Sequence, residues 1–327
     1  MDGLSYFGED SFSLSEYLVT PEVEEIAREL TQEAEDDTKK KREIVNGIIK
    51  EVLDEMGIDI KYKSDGDLSS NSAEFIDTGS TGRGTNVPYD GDFDFFMRLD
   101  ADIMKEPEKL REFKNKIIDK LKEHNPESYV ETGNGDIRFK KVSIDEGEEV
   151  DIDISFGVKT NKVQYSSDEC LRDRLNTIKR LYPDQYKNVV ANIILAKKVL
   201  KDPEVNAYKP RRSDPEQGGM GGIGIENWIL QNGGSFVQAC QSFLAAATDE
   251  NGNMVPFDQF KNNYQLWDFG ENHFSARRGN YLHDNFIECN MNQGGYEKMV
   301  HALQTYQKTI DRDFVSAKTD DIGHNKK

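Results

Sequence analysis

The chain has 327 residues, 36% hydrophobic and 31% charged, with a mean hydropathy of -0.75, which excludes a membrane protein and leaves room for two globular domains. Its net charge of -19 repels phosphate at long range, so a protein whose whole surface is a nucleic-acid platform is excluded too. Three scattered cysteines (Cys170, Cys240, Cys289) make neither a disulfide framework nor a metal-binding pair, and MDGLSYFGED carries no targeting signal, so a cytoplasmic, membrane-free protein is expected.

Residues 1–60 hold 17 acidic and 6 basic residues, more than half of the net negative charge. A long helix is predicted from Pro21 to about Met56. Thr20 caps it, proline opens the first turn, and Glu22, Glu24 and Glu25 lie at the positive end of its dipole. Ile26, Leu30, Ile44, Ile48, Val52 and Leu53 recur at helical spacing, with a charged break around Asp36–Arg42. Glu74–Thr78 and Asp92–Leu99 read as strands around a glycine-rich turn. Lys105–His124 reads as an amphipathic helix, and Arg138–Val142 and Glu149–Phe156 as alternating strands.

Beyond Gly157 the pattern turns helical: Ser167–Leu181, Asp184–Lys201, Ile223–Asn232, Ser235–Ala246 and Gly295–Ile310. Cys170–Arg212 carries eleven basic and four acidic residues, a local +7 in an acidic chain. The predicted domains are an N-terminal segment (1–20), an α+β domain (21–160), a helical domain (161–316) and a polar tail (317–327).

The chemistry concentrates in Asp77–Asp100, DTGSTGRGTNVPYDGDFDFFMRLD. A strand ends at Thr78, and Gly79-Ser80 makes a tight turn whose backbone N–H groups and hydroxyl suit a triphosphate. Asp92 and Asp94, two apart on an apolar strand, leave the same face. Magnesium binds one or two carboxylates together with substrate phosphates, and a pair of ions about 3.5–4 Å apart activates an attacking hydroxyl and steadies a leaving group. Asp151 and Asp153 in Val150–Ile154 offer the third carboxylate from a second strand.

In these motifs the sequence resembles the DNA polymerase β-like nucleotidyltransferase superfamily. Within it, the sequence is most similar to the archaeal-type (class I) CCA-adding tRNA nucleotidyltransferases, whose architecture is shared by oligoadenylate synthetases and cyclic GMP-AMP synthase. Gly79-Ser80-Thr81-Gly82-Arg83-Gly84-Thr85 matches the family's G-S-x-x-R-G-T turn, and Glu149-Val150-Asp151 its third-acid strand, which favours Asp151 over Asp153. Leu195–Lys201 resembles the family's lysine helix, with Lys197 in the triphosphate-binding position and Tyr208 in the nucleotide-contacting one. Gly221–Leu230 and Gly234-Ser235-Phe236 resemble the glycine-rich turn and helix that follow.

The sequence also departs from the family. Ser167 and Cys170 stand where a histidine is expected, Gly218 stands for an arginine although Arg211 and Arg212 are near, and the C-terminal tRNA-gripping domain has no counterpart. Gly218–Gly222 lacks the lysine and serine of a P-loop, so it reads as a turn that permits close packing or moves beside the nucleotide. The five histidines have no zinc spacing, and Trp228 and Trp267 read as core.

The resemblance implies a bilobed α+β fold, with a mixed or antiparallel sheet and a helical lobe that closes the nucleotide cleft. It implies transfer of a nucleotide from an NTP, ATP foremost, to a ribose hydroxyl. Asp92, Asp94 and Asp151 would hold two Mg²⁺ (or Mn²⁺), with Gly79, Ser80, Arg83, Lys197 and Tyr208 on the nucleotide. The leading acceptor is an RNA 3′ end such as that of tRNA. The alternative is a second nucleotide, giving a linear or cyclic oligonucleotide messenger.

Overall fold

The computed structural model describes residues 21–58, 61–62, 74–89, 92–132, 136–145, 148–158, 167–203, 205–208, 219–264, 266 and 291–306. The chain divides into two units, residues 31–164 and residues 1–30 with 165–327. Among the described residues no helix is long and apolar enough to cross a membrane.

In residues 31–164 a six-stranded mixed sheet lies beside helices. Helix α1 (Pro21–Glu55) enters this unit at Thr31 and turns Val45, Ile49, Val52 and Leu53 into the core. The strands are β1 (Lys61–Tyr62), β2 (Glu74–Thr78), β3 (Phe93–Leu99), β4 (Tyr129–Thr132), β5 (Ile137–Asp145) and β6 (Glu148–Val158). Their order is β1-β2-β3-β6-β5-β4. Two pairs, β1 with β2 and β3 with β6, run parallel, and the other three antiparallel.

Between strands lie α2 (Gly79–Arg83), α3 (Ala101–Lys105) and α4 (Pro107–His124), the last opened by proline. Phe93, Phe95 and Met97 alternate with Val150, Ile152 and Ile154 on one sheet face. Ile117 and Leu121 of α4 and the apolar stripe of α1 complete that core. Because strand side chains alternate, the residues between them are forced onto the opposite face.

The charged stretch at Asp36–Arg42 does not break α1, which runs uninterrupted. Its polarity has a local reason. There the helix meets the polar loop after β2: the Arg42 guanidinium donates to the Thr81 carbonyl, Asn86 Nδ2 donates to Thr38 Oγ1 at 2.7 Å, and the Tyr89 N–H donates to Asp37 at 3.2 Å.

The other unit is helical in its described part: α5 (Ser167–Leu181), α6 (Pro183–Lys201), α7 (Gly222–Gln231), α8 (Phe236–Ala247), α9 (Phe257–Asn263) and α10 (293–306). Residues 307–310, also expected to be helical, lie outside the described residues, as does Trp267. Trp228, Phe236, Phe243, Phe260, Tyr264 and Tyr296 form one aromatic core. The polar tips of its tryptophan and one tyrosine are satisfied: Trp228 Nε1 donates to Tyr264 Oη at 3.0 Å and Tyr296 Oη to the Val255 carbonyl at 2.8 Å.

Asn192 of α6 accepts the Phe236 N–H at 2.9 Å, satisfying one of the orphan amides at the start of α8, and Ser235 caps the same turn by accepting the Gln238 N–H.

Candidate active site

The turn after β2 is a five-residue helix that begins at Gly79. Gly79 has φ +65°, and a Cβ built on it would lie 1.9 Å from Asp94 Oδ2, 2.6 Å from Asp94 Cγ and 2.8 Å from Asp94 Cβ. Only glycine fits a backbone of this hand pressed against a carboxylate. The first residue of the Gly-Ser motif is therefore fixed by the second residue of the Asp-x-Asp motif.

The loop is held from below. Thr81 Oγ1 donates to the Asp92 carbonyl at 3.2 Å, tying α2 to the entry of β3, and Arg42 of α1 holds the Thr81 carbonyl. Ser80, partly exposed, accepts the Thr85 N–H on its carbonyl at 2.9 Å, and Gly84 closes the turn at φ +69°. Arg83 is only 6% exposed.

The four aspartates share one sheet face. Thr78 of β2 and Asp153 of β6 are the register partners of Asp94, and Phe93 is paired with Ile152. Asp92, just before β3, is exposed, and Asp94 is partly buried. Lys140 of β5, which no motif or spacing in the sequence singles out, completes the group. Its Nζ lies 2.8 Å from Asp151 Oδ2 and 4.0 Å from Asp153 Oδ1, and the Lys141 N–H donates to Asp151 Oδ1 at 3.2 Å. Arg138 Nε lies 3.6 Å from Asp153 Oδ2.

Electrostatics follow from this crowding. Burial pushes the Asp153 carboxyl up, Lys140 and Arg138 pull it back, Asp92 and Asp151 add repulsion, and the net shift is upward. Burial alone would lower the Lys140 ammonium. The hydrogen bond to Asp151 and the charges of Asp151, Asp153 and Asp92 outweigh burial, so its pKa is raised. Asp153 Oδ1 is buried and accepts no hydrogen bond. An orphaned carboxylate oxygen among three further carboxylates is a donor set that fits a hard divalent cation.

Lys197 and Tyr208, both in the helical unit, are brought together there. A parallel bridge joins Tyr208 to Met220, and Gly219 permits it, since a Cβ on Gly219 would lie 2.1 Å from the Ala207 carbonyl oxygen. This is the close-packing role expected of the glycine run. A Cβ on Gly222 would lie 3.0 Å from Tyr208 Oη and 4.0 Å from Lys197 Nζ. Lys197 is 1% exposed and paired with the equally buried Glu226 at 2.6 Å, a partner the sequence did not reveal. Arg211, Arg212 and Gly218 lie outside the described residues, as do the side chains of Ser167 and Cys170.

A second group of possible metal ligands, Glu51, Glu55 and His124, is exposed, and Lys120 bonds Glu55 at 2.9 Å and lowers its pKa.

No protein-family model matches the sequence, and no curated protein matches it. Among solved structures the chain is similar to the CdnC:HORMA-deltaN complex of E. coli MS115-1, at 16% identity over 86% of each chain with a TM-score of 0.50. It is also similar to the Cid1 RNA terminal uridylyl transferase, at 15% identity over 64% of this chain and 54% of that one, TM-score 0.44. A Cid1 poly(U) polymerase structure with MgGTP bound matches at 14% identity over 86% and 72%, TM-score 0.44. The chain thus spans about half the length of the first of the Cid1 structures. The likeness to the CdnC:HORMA-deltaN structure shows a shared mixed α+β fold.

Proposed function

We propose that the protein is a divalent-metal-dependent nucleotidyltransferase, which moves a nucleoside monophosphate from an NTP onto a ribose hydroxyl and releases pyrophosphate. The observation that carries this reading is the junction of the two motifs: the Gly79 turn is packed against the Asp94 carboxylate, and Asp94 stands in register with Asp153.

The contacts made by β5 favour one of the two acids of β6. Asp153, opposite Asp94 and with an unbonded buried oxygen, is the third metal carboxylate; Asp151, expected from the motif, is bonded by β5 through both oxygens. Asp92, Asp94 and Asp153 would hold Mg²⁺ or Mn²⁺. When bound, the cations polarise the α-phosphate, make the attacking hydroxyl more acidic and offset charge on the departing pyrophosphate.

The chain's own part is positional. Gly79 and Ser80 present backbone N–H groups to the triphosphate beside the acids. Thr81 and Arg42 keep that turn in place, which matters because a displacement of about 1 Å in a reacting constellation costs roughly 10²-fold in rate. By the resemblance Lys197 and Tyr208 would contact the nucleotide, although Lys197 is buried in the helical unit. The Lys197 charge is shared with Glu226.

For the acceptor, an RNA 3′ end such as that of tRNA is the first reading, by motif similarity. The net charge of -19 favours a second, a nucleotide acceptor that yields a linear or cyclic oligonucleotide. The protein is incubated with Mg²⁺ and four labelled NTPs, with and without tRNA lacking its 3′ end. Label in RNA only supports the first reading, and small products formed without RNA support the second. If neither forms, or if Asp94→Asn is as active as wild type, the proposal fails.

A further inference from the structure

We propose that Lys140 is a built-in counter-ion of the acid face, bonded to Asp151 and standing beside Asp153 in the metal-free protein and giving way when a divalent cation binds. The inference rests on the reading of Asp92, Asp94 and Asp153 as metal carboxylates and adds a competitor that sets how tightly they load.

The backbone is built to deliver this lysine. Between Phe139, paired with Ile152, and Val142, paired with Val150, β5 carries one residue more than β6. The extra residue is accommodated by Lys141, which takes φ +57°, a conformation that a residue with a Cβ adopts only under constraint. Such a bulge re-aims side chains without losing the sheet. Phe139 and Val142 both stay in the core, at 0% and 1% exposure, while Lys140 is left on the acid face.

Both oxygens of Asp151 are consequently held by one dipeptide, Oδ2 by the Lys140 ammonium and Oδ1 by the Lys141 N–H. The same ammonium reaches Asp153 only at 4.0 Å, too far for a hydrogen bond, which leaves that carboxylate's inner oxygen for a better cation. Lys140 is partly buried, so its charge is poorly screened and repels a cation arriving beside it. An ammonium on a long, flexible stem can withdraw toward solvent, where a guanidinium fork bonded bidentately would hold on.

The test compares Mn²⁺ binding to the full chain, followed by the EPR signal of free Mn²⁺, for wild type, Lys140→Met, Lys140→Arg and Asp94→Asn. Lys140→Met is expected to bind Mn²⁺ about tenfold more tightly than wild type, since a unit positive charge is removed next to the site, and Lys140→Arg no more tightly. Unchanged or weaker binding by Lys140→Met would mean that the lysine merely orients the acids, and the inference would be overturned. Wild type that binds no Mn²⁺, or Asp94→Asn that binds it as wild type does, would overturn the metal-site reading and this inference with it.

A second measurement needs no variant to fold. In a Mg²⁺ titration of wild type followed by ¹⁵N NMR, the Lys141 amide and the Lys140 ammonium signals should move together with the binding midpoint. Binding that leaves both signals still would refute displacement.

Discussion

Substituting the two left-handed glycines of the turn, one at a time, separates the geometry of the acid face from the strain of the backbone. Gly79 and Gly84 have nearly the same φ, +65° and +69°, so alanine at either suffers the same conformational penalty, about 1–2 kcal/mol. Their surroundings differ. A Cβ on Gly84 meets nothing within 4 Å, whereas on Gly79 it falls 1.9 Å from Asp94 Oδ2 and 2.8 Å from Asp94 Cβ. Turning the Asp94 side chain about χ1 moves its carboxylate but leaves its Cβ in place, so rotation alone cannot relieve the overlap. The carboxylate must retreat by about 1 Å and the β2–β3 backbone must spread, an overpacking cost of roughly 1–3 kcal/mol.

Gly79→Ala should therefore lose about 1–3 kcal/mol more than Gly84→Ala in urea unfolding. Under the proposed function it should also lose roughly 10²-fold in nucleotide transfer, because a carboxylate proposed to hold the metal has moved, while Gly84→Ala stays within a few fold. Mn²⁺ affinity should follow activity. If the two variants are equal in stability and in activity, the contact between turn and carboxylate is not what organises the site, and the reasoning fails.

Lys197→Met should destabilise the protein by about 3–5 kcal/mol, because it strands the fully buried Glu226, and adding Glu226→Gln should restore part of that in thermal unfolding; a stable single variant would show the pair to be unimportant. Thr81→Val removes the hydrogen bond to the Asp92 carbonyl and should cost about 1 kcal/mol, with a larger proportional loss of activity than of stability. The Asp249 carboxylate accepts the Asn253 and Asn251 N–H groups, and these bonds lower its pKa. A depressed acid stabilises the fold above its unfolded pKa, so amide protection at Asn251 and Asn253 should hold above about pH 4 and fade as pH falls below it, and Asp249→Asn should abolish that pH dependence. Hydrogen exchange that does not change across this range would refute the assignment.

Much of the fold was legible because its signals are local. Pro21 and the apolar stripe of α1, the alternation of β3 and β6, and the glycine punctuation of the helical half each act within a few residues. The short elements were not legible. Tyr129–Thr132 pairs through β5 rather than through its own pattern, Lys61–Tyr62 is two residues long, and Phe257–Asn263 is too brief to show a period. The reason for the charged stretch of α1 was not legible either: Asp37, Thr38 and Arg42 answer to residues 81–89, partners about 40 to 50 positions away.

In the candidate site, spacing put Asp92 with Asp94 and Asp151 with Asp153, because period 2 is visible in a string of letters. It could not say which acid of the second pair is left with an unbonded oxygen, since that depends on the contacts β5 makes. Nor could it show Lys140, whose orientation depends on a one-residue bulge. The Lys-Lys pair at 140–141, placed one strand from the acids, was the available hint.

The same distinction between composition and placement applies to the basic segment. Its eleven cationic residues gave a local +7 that pointed to a phosphate site. The structure spends some of that charge internally, since Lys197 is neutralised by Glu226 at 2.6 Å. A triphosphate attracted by side-chain charge alone would thus find less than the sequence advertises. The acid face carries the opposite sign and cannot attract a phosphate until it holds a cation. Under the proposed function the divalent metal is then more than a participant in the chemistry. It turns a surface that repels the substrate into one that binds it, which is why the competitor at Lys140 would bear on nucleotide affinity as well as on metal loading.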